Sequence, residues 1–327
     1  MQGLIDIWVD VQSWILETVV HPLLFRFGYM TFFEDAPFVV ETLMLGVVQI
    51  GVILLVFRPL ERLAPAEQWP DRKLARVDIV YTLLSKLGVL PFVVFIVLYP
   101  VNDWLQDLVR DNDLVLPTVE QSVPWLRDKP LLLFATYFLL YDFAGYWLHR
   151  MQHAFPWWWA LHSLHHSQRQ VTCWSDDRNH LLDDLLASVY FAVVALLIGV
   201  QPGQYVVLLL LSRMVESLSH ANVRFGFGRV LDKVLVDPWF HRTHHARASA
   251  AEPHIHDSNF GAVLPIWDLL FGTSVYDYKR RPTGVDTAEA DADNGKGWVG
   301  QQIAVAGRLA RAVLATFRPR QAIRPAE

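Results

Sequence analysis

One histidine-rich stretch decides the fold of this chain: LHRMQH at 148–153, ALHSLHHS at 160–167, RNH at 178–180, SHAN at 219–222 and FHRTHHA at 240–246. Ten of the thirteen histidines fall within the 97 residues that run from His149 to His245. On a helix, positions i, i+3 and i+4 share one face, so each box points its imidazoles the same way. Because neutral imidazole is the commonest metal ligand in proteins, the pattern predicts a metal site.

The candidate ligands are the eight histidines of three boxes and the two single histidines between the second and third boxes. They are His149, His153, His162, His165, His166, His241, His244 and His245, with His180 and His220 as the single ones. For each single histidine the alternative is a hydrogen bond that orients a ligand. Eight to ten nitrogens exceed what one four-coordinate zinc ion takes and suit two ions of higher coordination. Zinc, copper, nickel and iron all accept imidazole, and the spacing does not choose among them.

Composition narrows the class of protein. The chain has 327 residues, of which 53% are hydrophobic and 13% aromatic, which is typical of a membrane protein. Its formal net charge of -5 argues against a nucleic-acid partner. The single cysteine, Cys173, is expected to be a small buried hydrophobe and leaves no cysteine-rich metal site. No removable signal peptide is expected at the N-terminus.

Apolar segments predict an all-α integral membrane protein with about four to five transmembrane or hairpin helices. The segments are 38–57, 79–101 with a kink near Pro91, 131–148, and a hairpin formed by 185–200 and 205–218. Residues 1–37 mix aromatic and acidic side chains and are expected to form an interfacial helix.

Charges in the loops predict the orientation. The loop 58–77 is rich in Arg and Lys and is expected on the cytoplasmic side, whereas 1–37 and 102–129 are acidic and are expected outside. Counting spans then places all three boxes, His180 and His220 in a cytoplasmic helical cap. In the tail, 283–297 is weakly hydrophobic and is expected to be disordered, and 299–319 is expected to lie on the membrane as a basic amphipathic helix.

The boxes together resemble the fatty acid hydroxylase/sterol desaturase superfamily of integral-membrane di-iron oxidoreductases. DSNFG at 257–261 and WDLLFGT at 267–273 resemble the closing motif of that family, so the resemblance covers roughly 131–273. One departure is the linker between His245 and Asn259, which is a few residues longer than usual. It contains His254 and His256, for which a loop role is expected.

The resemblance implies two iron ions held by the eight histidines of the boxes, and the family also tends to place histidines at the positions of His180 and His220, which are expected to be ligands as well. Zinc is possible as a substitute in the isolated protein. The resemblance also implies a lipid substrate from the bilayer, molecular oxygen as oxidant, and attack on an unactivated C–H bond. It divides the chain into a membrane-anchoring region (1–130) with two spans, a catalytic domain (131–278) and a partly disordered cytoplasmic tail (279–327). Since no motif for a flavin, nicotinamide or iron–sulfur group is present, a separate ferredoxin, cytochrome or reductase is expected to supply electrons.

Several functions remain open at this level. Within the family, sterol desaturation is the alternative to hydroxylation of a fatty-acyl, polar-lipid or sterol substrate, because both use the same ligands. From other classes, the alternatives are a bis-histidine haem protein that transfers electrons, a zinc protease and a scaffold without metal. The protease is disfavoured because HExxH is absent. Asp142, inside the third span, is expected either to orient an imidazole or to pair with an arginine.

Overall fold

The computed structural model describes residues 2–69, 71–112 and 118–317 and is all-α; within these ranges there are only two isolated β-bridges and no strand. Parts of two predictions, residues 113–117 of the acidic loop and 318–327 of the tail, lie outside the described residues.

The α-helices of the described residues are, in chain order, α1 (Gln2–Ile15), α2 (His21–Phe27), α3 (Ala36–Val52), α4 (Arg58–Leu63), α5 (Arg76–Lys86), α6 (Val89–Asp111), α7 (Val119–Ser122), α8 (Pro130–Ala154), α9 (Pro156–His166), α10 (Leu181–Ile198), α11 (Pro202–Ser219), α12 (Gly228–Leu231), α13 (Pro238–His244), α14 (Ile266–Phe271), α15 (Ala288–Asp291) and α16 (Trp298–Thr316). Two π-helical turns, Leu16–Val20 and Ile53–Phe57, join α1 to α2 and α3 to α4. Short 3-10 turns lie at Met30–Phe32, Pro124–Leu126, Ser175–Asp177, Ile255–Asp257 and Ala292–Gly295.

Three helices of the described chain are long and apolar enough to cross a membrane: Ala36–Leu63, Pro130–Ala154 and Leu181–Ile198. These agree with the first, third and fourth predicted apolar segments. The second segment is a pair of helices, Arg76–Lys86 and Val89–Val101, which are bent by 51° and would make a fourth span if they cross together. Helix α11, the second arm of the predicted hairpin, is not among the described helices that are long and apolar enough to cross a membrane.

The bend between α5 and α6 lies at Gly88, three residues before Pro91, near which the sequence predicted a kink or an interruption. Gly88 has φ 79°, a left-handed conformation that glycine adopts without a steric penalty. Pro91 is the third residue of α6, where a backbone N–H has no partner inside the helix, so proline is tolerated there.

The first two histidine boxes are separated by a helix break at Phe155. Its backbone is extended, with φ -94° and ψ 119°, because the residue before a proline disfavours the helical conformation. The chain therefore leaves α8 after His153 and begins α9 at Pro156 in a new direction. This break lets the imidazoles of α8 face those of α9.

The tail packs against the histidine-bearing helices, which corrects two predictions from the sequence. Helix α16 lies against α9, and Arg308 donates to the carbonyl oxygen of Ala160 at 3.0 Å. Asp293 is fully buried and accepts bonds from Lys296 and Arg308. Residues 283–297 are thus ordered by buried polar contacts, which a hydrophobicity pattern does not reveal.

Candidate metal centre

Nine of the ten candidate histidines form two groups, and within each group the nearest ring nitrogens lie within 4.8 Å of one another. Group I consists of His149, His153, His162, His166 and His244. Group II consists of His165, His220, His241 and His245. These are the groups that the described residues offer to metal ions.

The spacing HxxHH lets one helix contribute to both groups. Helix α9 places His162 and His166, four residues apart, in group I, and His165 in group II. The third box does the reverse, since His241 and His245 enter group II and His244 enters group I. Residues four apart point in nearly the same direction, whereas the residue between them points to the neighbouring group.

Hydrogen bonds at Nδ1 fix the tautomer of several ligands. The Nδ1 atoms of His149, His244 and His220 lie 2.8, 2.7 and 2.7 Å from the carbonyl oxygens of Phe260, Ser258 and Glu216.

A carbonyl oxygen only accepts, so Nδ1 must carry the proton in each of these rings. In a neutral imidazole the lone pair then lies on Nε2, the atom that faces the group. The backbone thereby prepares these nitrogens to bind a metal ion.

The Nε2 atoms of group II converge. His220 Nε2 lies 3.1 Å from His165 Nε2 and 2.9 Å from His241 Nε2, and the Nε2 atoms of His241 and His245 are 3.1 Å apart. One lone pair on His220 cannot satisfy two neighbouring nitrogens. Two nitrogens that each lie about 2.1 Å from one ion, at a right angle, are about 3.0 Å apart. The donor set of group II therefore fits a metal ion.

The ring nitrogens of group I also lack hydrogen-bond partners or lie close to one another. His153 Nε2 and His166 Nε2 are 3.1 Å apart. The Nε2 atoms of His149, His162 and His244 are buried and have no hydrogen-bond partner among the described residues. Buried polar atoms are rarely left without a partner, so three in one group point to a ligand that completes them.

Electrostatics keeps the imidazoles of group II neutral. Burial lowers the pKa of His165, His241 and His245 well below the ordinary value, and repulsion from neighbouring imidazoles lowers it further. A neutral ring has a free lone pair, which metal binding requires.

Asp183 orients His162 of group I through the ring nitrogen that faces away from the group. Its carboxylate is buried, and one oxygen accepts bonds from Trp158 Nε1 at 2.7 Å and Gln152 Nε2 at 2.9 Å. The other oxygen lies 3.3 Å from His162 Nδ1. The carboxylate therefore favours the proton on Nδ1 and directs Nε2 of His162 toward the group.

The closing motif supplies the two carbonyl oxygens that hold His149 and His244. Asp268 is fully buried and accepts bonds from the backbone N–H groups of Phe260 and Gly261. Asn259 has φ 58°, and its side chain bonds the backbone of Phe240 and Val275. The motif thus builds a rigid loop behind the metal groups, a role that the sequence did not indicate.

Asp142 has neither of the roles that the sequence suggested. Its carboxylate accepts bonds from the backbone N–H groups of Val263 and Leu264 and from Trp267 Nε1 at 2.8 Å. It ties the third span to the closing motif, and so it acts on the histidines only through that loop.

His180 lies outside both groups. Its Nδ1 accepts a bond from the N–H of Leu182 and caps α10, while its Nε2 lies 3.2 Å from the carbonyl oxygen of Gln302. Both ring nitrogens are occupied, so His180 has no lone pair left for a metal ion. In this structure it joins α10 to α16.

The two histidines of the long linker also lie outside the groups. His254 is exposed, with 84% of its side-chain surface accessible. His256 stacks on Trp159 at a centroid distance of 5.5 Å, and Trp159 in turn contacts His153. The linker therefore covers the outer side of group I.

A cavity of about 540 Å³ lies among α3, α6, α8, α10 and α11. Most of its wall is apolar, with residues such as Leu45, Leu98 and Phe191. Its volume is in the range of small-molecule sites. The cavity is thus suited to a ligand with a large apolar part.

One end of the cavity is polar and leads toward group II. Gln49 lines it and donates to Ser217 Oγ at 3.0 Å, and Ser217 donates to Asp176 at 3.1 Å. Asp176 lies 3.8 Å from His220 Nδ1. Among the described residues that line the cavity there is no histidine, so this polar layer separates the cavity from the imidazoles.

Comparison with known proteins places these features in a family. Residues 134–273 match the fatty acid hydroxylase family. Human alkylglycerol monooxygenase is 33% identical over 152 residues, which are 46% of this chain and 32% of that protein. The ornithine lipid hydroxylase OlsE of Rhizobium tropici is 28% identical over 237 residues, 69% of this chain and 65% of that protein. No solved structure matches the chain.

The fold and the site together define a helical membrane protein with two buried histidine groups, each of which could hold a metal ion. Residues 134–273, which match the fatty acid hydroxylase family, contain every histidine of both groups. The chain spans about a third of the length of the alkylglycerol monooxygenases that it matches.

Proposed function

We propose that this chain is an integral-membrane lipid hydroxylase that binds two iron ions, one at group I and one at group II, in a catalytic domain formed by residues 131–278. The observation that carries the proposal is the convergence of the buried Nε2 atoms in two adjacent groups. The proposed ligands are His149, His153, His162, His165, His166, His220, His241, His244 and His245.

Iron is preferred to the other imidazole-binding metals because the relatives are named as a monooxygenase and a hydroxylase. When bound, iron supplies the oxidation of an unactivated C–H bond by molecular oxygen. In the overall reaction one oxygen atom enters the C–H bond and the other leaves as water. Two electrons come from a separate electron donor, which we propose to be a ferredoxin, cytochrome or reductase, and two protons come from water.

The residues of this chain orient the imidazoles and bind the lipid. Backbone carbonyls and Asp183 hold the imidazoles with Nε2 inward. The apolar wall of the cavity holds the hydrocarbon part of the lipid and keeps water from it. Zinc fits the same nitrogen donors, so we propose that it replaces iron in protein isolated without iron.

Two other functions are less well supported by the geometry. A haem between two axial imidazoles needs open flat space around its iron, whereas here four or five imidazoles converge on each group. A desaturase would use the same ligands, and the substrate alone separates the two reactions. The names of the relatives favour hydroxylation.

The reaction is tested by lipid mass spectrometry. The chain is expressed in a bacterial host that lacks it, beside the variant His165→Ala, in which group II loses a ligand. We expect a lipid that gains one oxygen atom only with the unmodified chain. A lipid that loses two hydrogen atoms would establish desaturation, and no difference between the two strains would refute both reactions.

We propose that both groups face the cytoplasm, because the loop between the first two apolar segments contains Arg58, Arg62, Arg72, Lys73 and Arg76. Alkaline phosphatase fused after Phe317 is then expected to be inactive in a bacterial host, and green fluorescent protein at the same place is expected to fluoresce. The opposite pair of results would overturn this orientation.

A further inference from the structure

The polar end of the cavity contains charged groups that the two metal groups do not use. Lys86, Arg213, Asp177 and Asp184 all line it. Charged side chains at membrane depth are costly, and they mark sites that bind polar groups.

Arg213 has hydrogen-bond donors to spare. The only hydrogen bond of its guanidinium among the described residues runs from an Nη atom to Glu216 at 3.2 Å, although the group has five N–H donors. Its side chain is 46% exposed, and the side chain lines the cavity. The remaining donors are therefore available to an anionic group inside the cavity.

Two carboxylates at the same end have acceptors to spare. Asp177 pairs with Lys86 at 2.9 Å through one oxygen. Its side chain is 4% exposed, and its other oxygen, Oδ2, has no hydrogen-bond partner among the described residues. The carboxyl group of Asp184 forms no ion pair within the described chain and is hydrogen-bonded there only to the side chain of Asn179.

These groups together define one kind of ligand. Spare guanidinium donors form their strongest hydrogen bonds with an anion, and spare carboxylate oxygens form theirs with a charged amine. A sterol offers a single hydroxyl, which matches neither the guanidinium nor the two carboxylates. A free fatty acid offers the anion but no amine.

We infer that Arg213, Asp177 and Asp184 form a binding site for the headgroup of a zwitterionic lipid. The anion binds Arg213, the amine binds the two carboxylates, and the hydrocarbon chains fill the apolar part of the cavity. This inference rests on the proposed function, because it names the substrate class of that enzyme.

Binding of defined lipids tests the site without turnover. The iron-loaded protein is purified in detergent, and competition between lipids with identical chains is measured by native mass spectrometry without an electron donor. Phosphatidylethanolamine has an anion and an amine, phosphatidylglycerol has the anion only, and diacylglycerol has neither. We expect phosphatidylethanolamine to bind at least about tenfold more tightly than diacylglycerol.

The source of the anion is distinguished by a further probe, Nα-palmitoyl-lysine, which presents a carboxylate in place of a phosphate. Stronger binding of this probe than of phosphatidylethanolamine would assign an amino-acid lipid, and the reverse would assign a phospholipid. Either result supports a zwitterionic headgroup.

Two variants separate the two halves of the site. Arg213→Gln is expected to weaken phosphatidylethanolamine and phosphatidylglycerol about tenfold and to leave diacylglycerol unchanged. Asp184→Asn is expected to weaken only phosphatidylethanolamine. Arg213→Lys keeps the charge and is expected to restore part of the loss. The matched control is Arg110→Gln, because Arg110 pairs with Asp107 three residues away but is exposed outside the cavity.

Equal binding of diacylglycerol and phosphatidylethanolamine to the unmodified protein would overturn the inference, whether or not the variants fold. Unchanged lipid preference in folded Arg213→Gln and Asp184→Asn would overturn it as well. Failure of the proposed function is a separate result. In that case no lipid gains oxygen in the expression experiment, while the preference for zwitterionic lipids persists.

Discussion

Replacement of Asp183 by asparagine should weaken metal binding at group I through a change of tautomer at His162. One oxygen of Asp183 already accepts from Trp158 and Gln152, at 2.7 and 2.9 Å. In Asp183→Asn the amide oxygen is expected to keep those two donors, so the amide NH₂ faces His162 Nδ1. That nitrogen must then accept, and the proton moves to Nε2, where it blocks the lone pair that faces the metal.

The expected loss of metal affinity follows from the general effect of removing a group that orients a metal-bound histidine. Loss of a group that orients a metal-bound histidine lowers metal affinity about 10–100-fold. This corresponds to about 1.4–2.8 kcal/mol of binding free energy. Loss of the buried charged acceptor costs a further 1–3 kcal/mol, roughly, in the free energy of unfolding.

Chelator competition measures this effect. Iron per chain is determined in purified protein as a chelator is added. We expect Asp183→Asn to release one of its two iron ions at about 10–100-fold lower chelator concentration than the unmodified protein. The second ion, held by group II, should be released as in the unmodified protein.

Asp293→Asn is the matched control, since Asp293 is fully buried and bonds Lys296 and Arg308 but contacts no histidine of either group. It should lower stability and leave the iron content unchanged. If folded Asp183→Asn holds both ions as tightly as the unmodified protein, the tautomer reasoning fails.

Three further predictions concern the lone histidines, a helix contact and pH. His180→Ala should lose the cap of α10, which contributes about 1 kcal/mol of stability, and should keep both iron ions, whereas His220→Ala should lose the ion of group II. Metal analysis and thermal melting distinguish the two variants, and loss of iron in His180→Ala would contradict the assignment of that histidine. A Cβ at Gly46 would collide with the carbonyl oxygen of Lys86, so Gly46→Ala should lower the melting temperature or prevent folding. Gly51→Ala is the control, because a Cβ there meets nothing within 4 Å. Equal melting temperatures of the two variants would count against the close packing of α3 on α5. In iron-free protein the buried imidazoles have lowered pKa values, so below about pH 6.5 the unfolded chain binds more protons than the folded chain. The free energy of unfolding should therefore fall as pH falls, and denaturant titration in detergent measures it. A free energy of unfolding that does not change with pH would contradict this prediction.

The sequence predicted much of the fold because bilayer thickness imposes a length on apolar segments. The first, third and fourth segments correspond to helices of the structure that could span a membrane. The interruption predicted near Pro91 lies three residues earlier, at Gly88, since a left-handed glycine and a proline both interrupt an apolar pattern. The tail was missed for another reason, because its contacts are buried polar pairs such as Tyr81 with Gln301.

For the site, helical spacing predicted that all the imidazoles of a box point the same way, which is right for the histidines four residues apart and wrong for the histidine between them in each HxxHH box. It did not show that each HxxHH box divides between two groups, because that depends on how α9 and α13 approach each other in space. His180 and His220 look alike in sequence, yet His220 ends α11 inside group II and His180 begins α10 outside both groups. Only the packing of α16 on α10, through Gln302, separates the two cases.

Metal analysis of the purified, iron-supplemented protein shows most directly whether the two histidine groups bind iron. The two groups predict about two iron ions per chain, with one lost in His241→Ala, which removes a ligand of group II alone. Fewer than one metal ion per chain in folded protein, or a haem absorption band, would contradict the account.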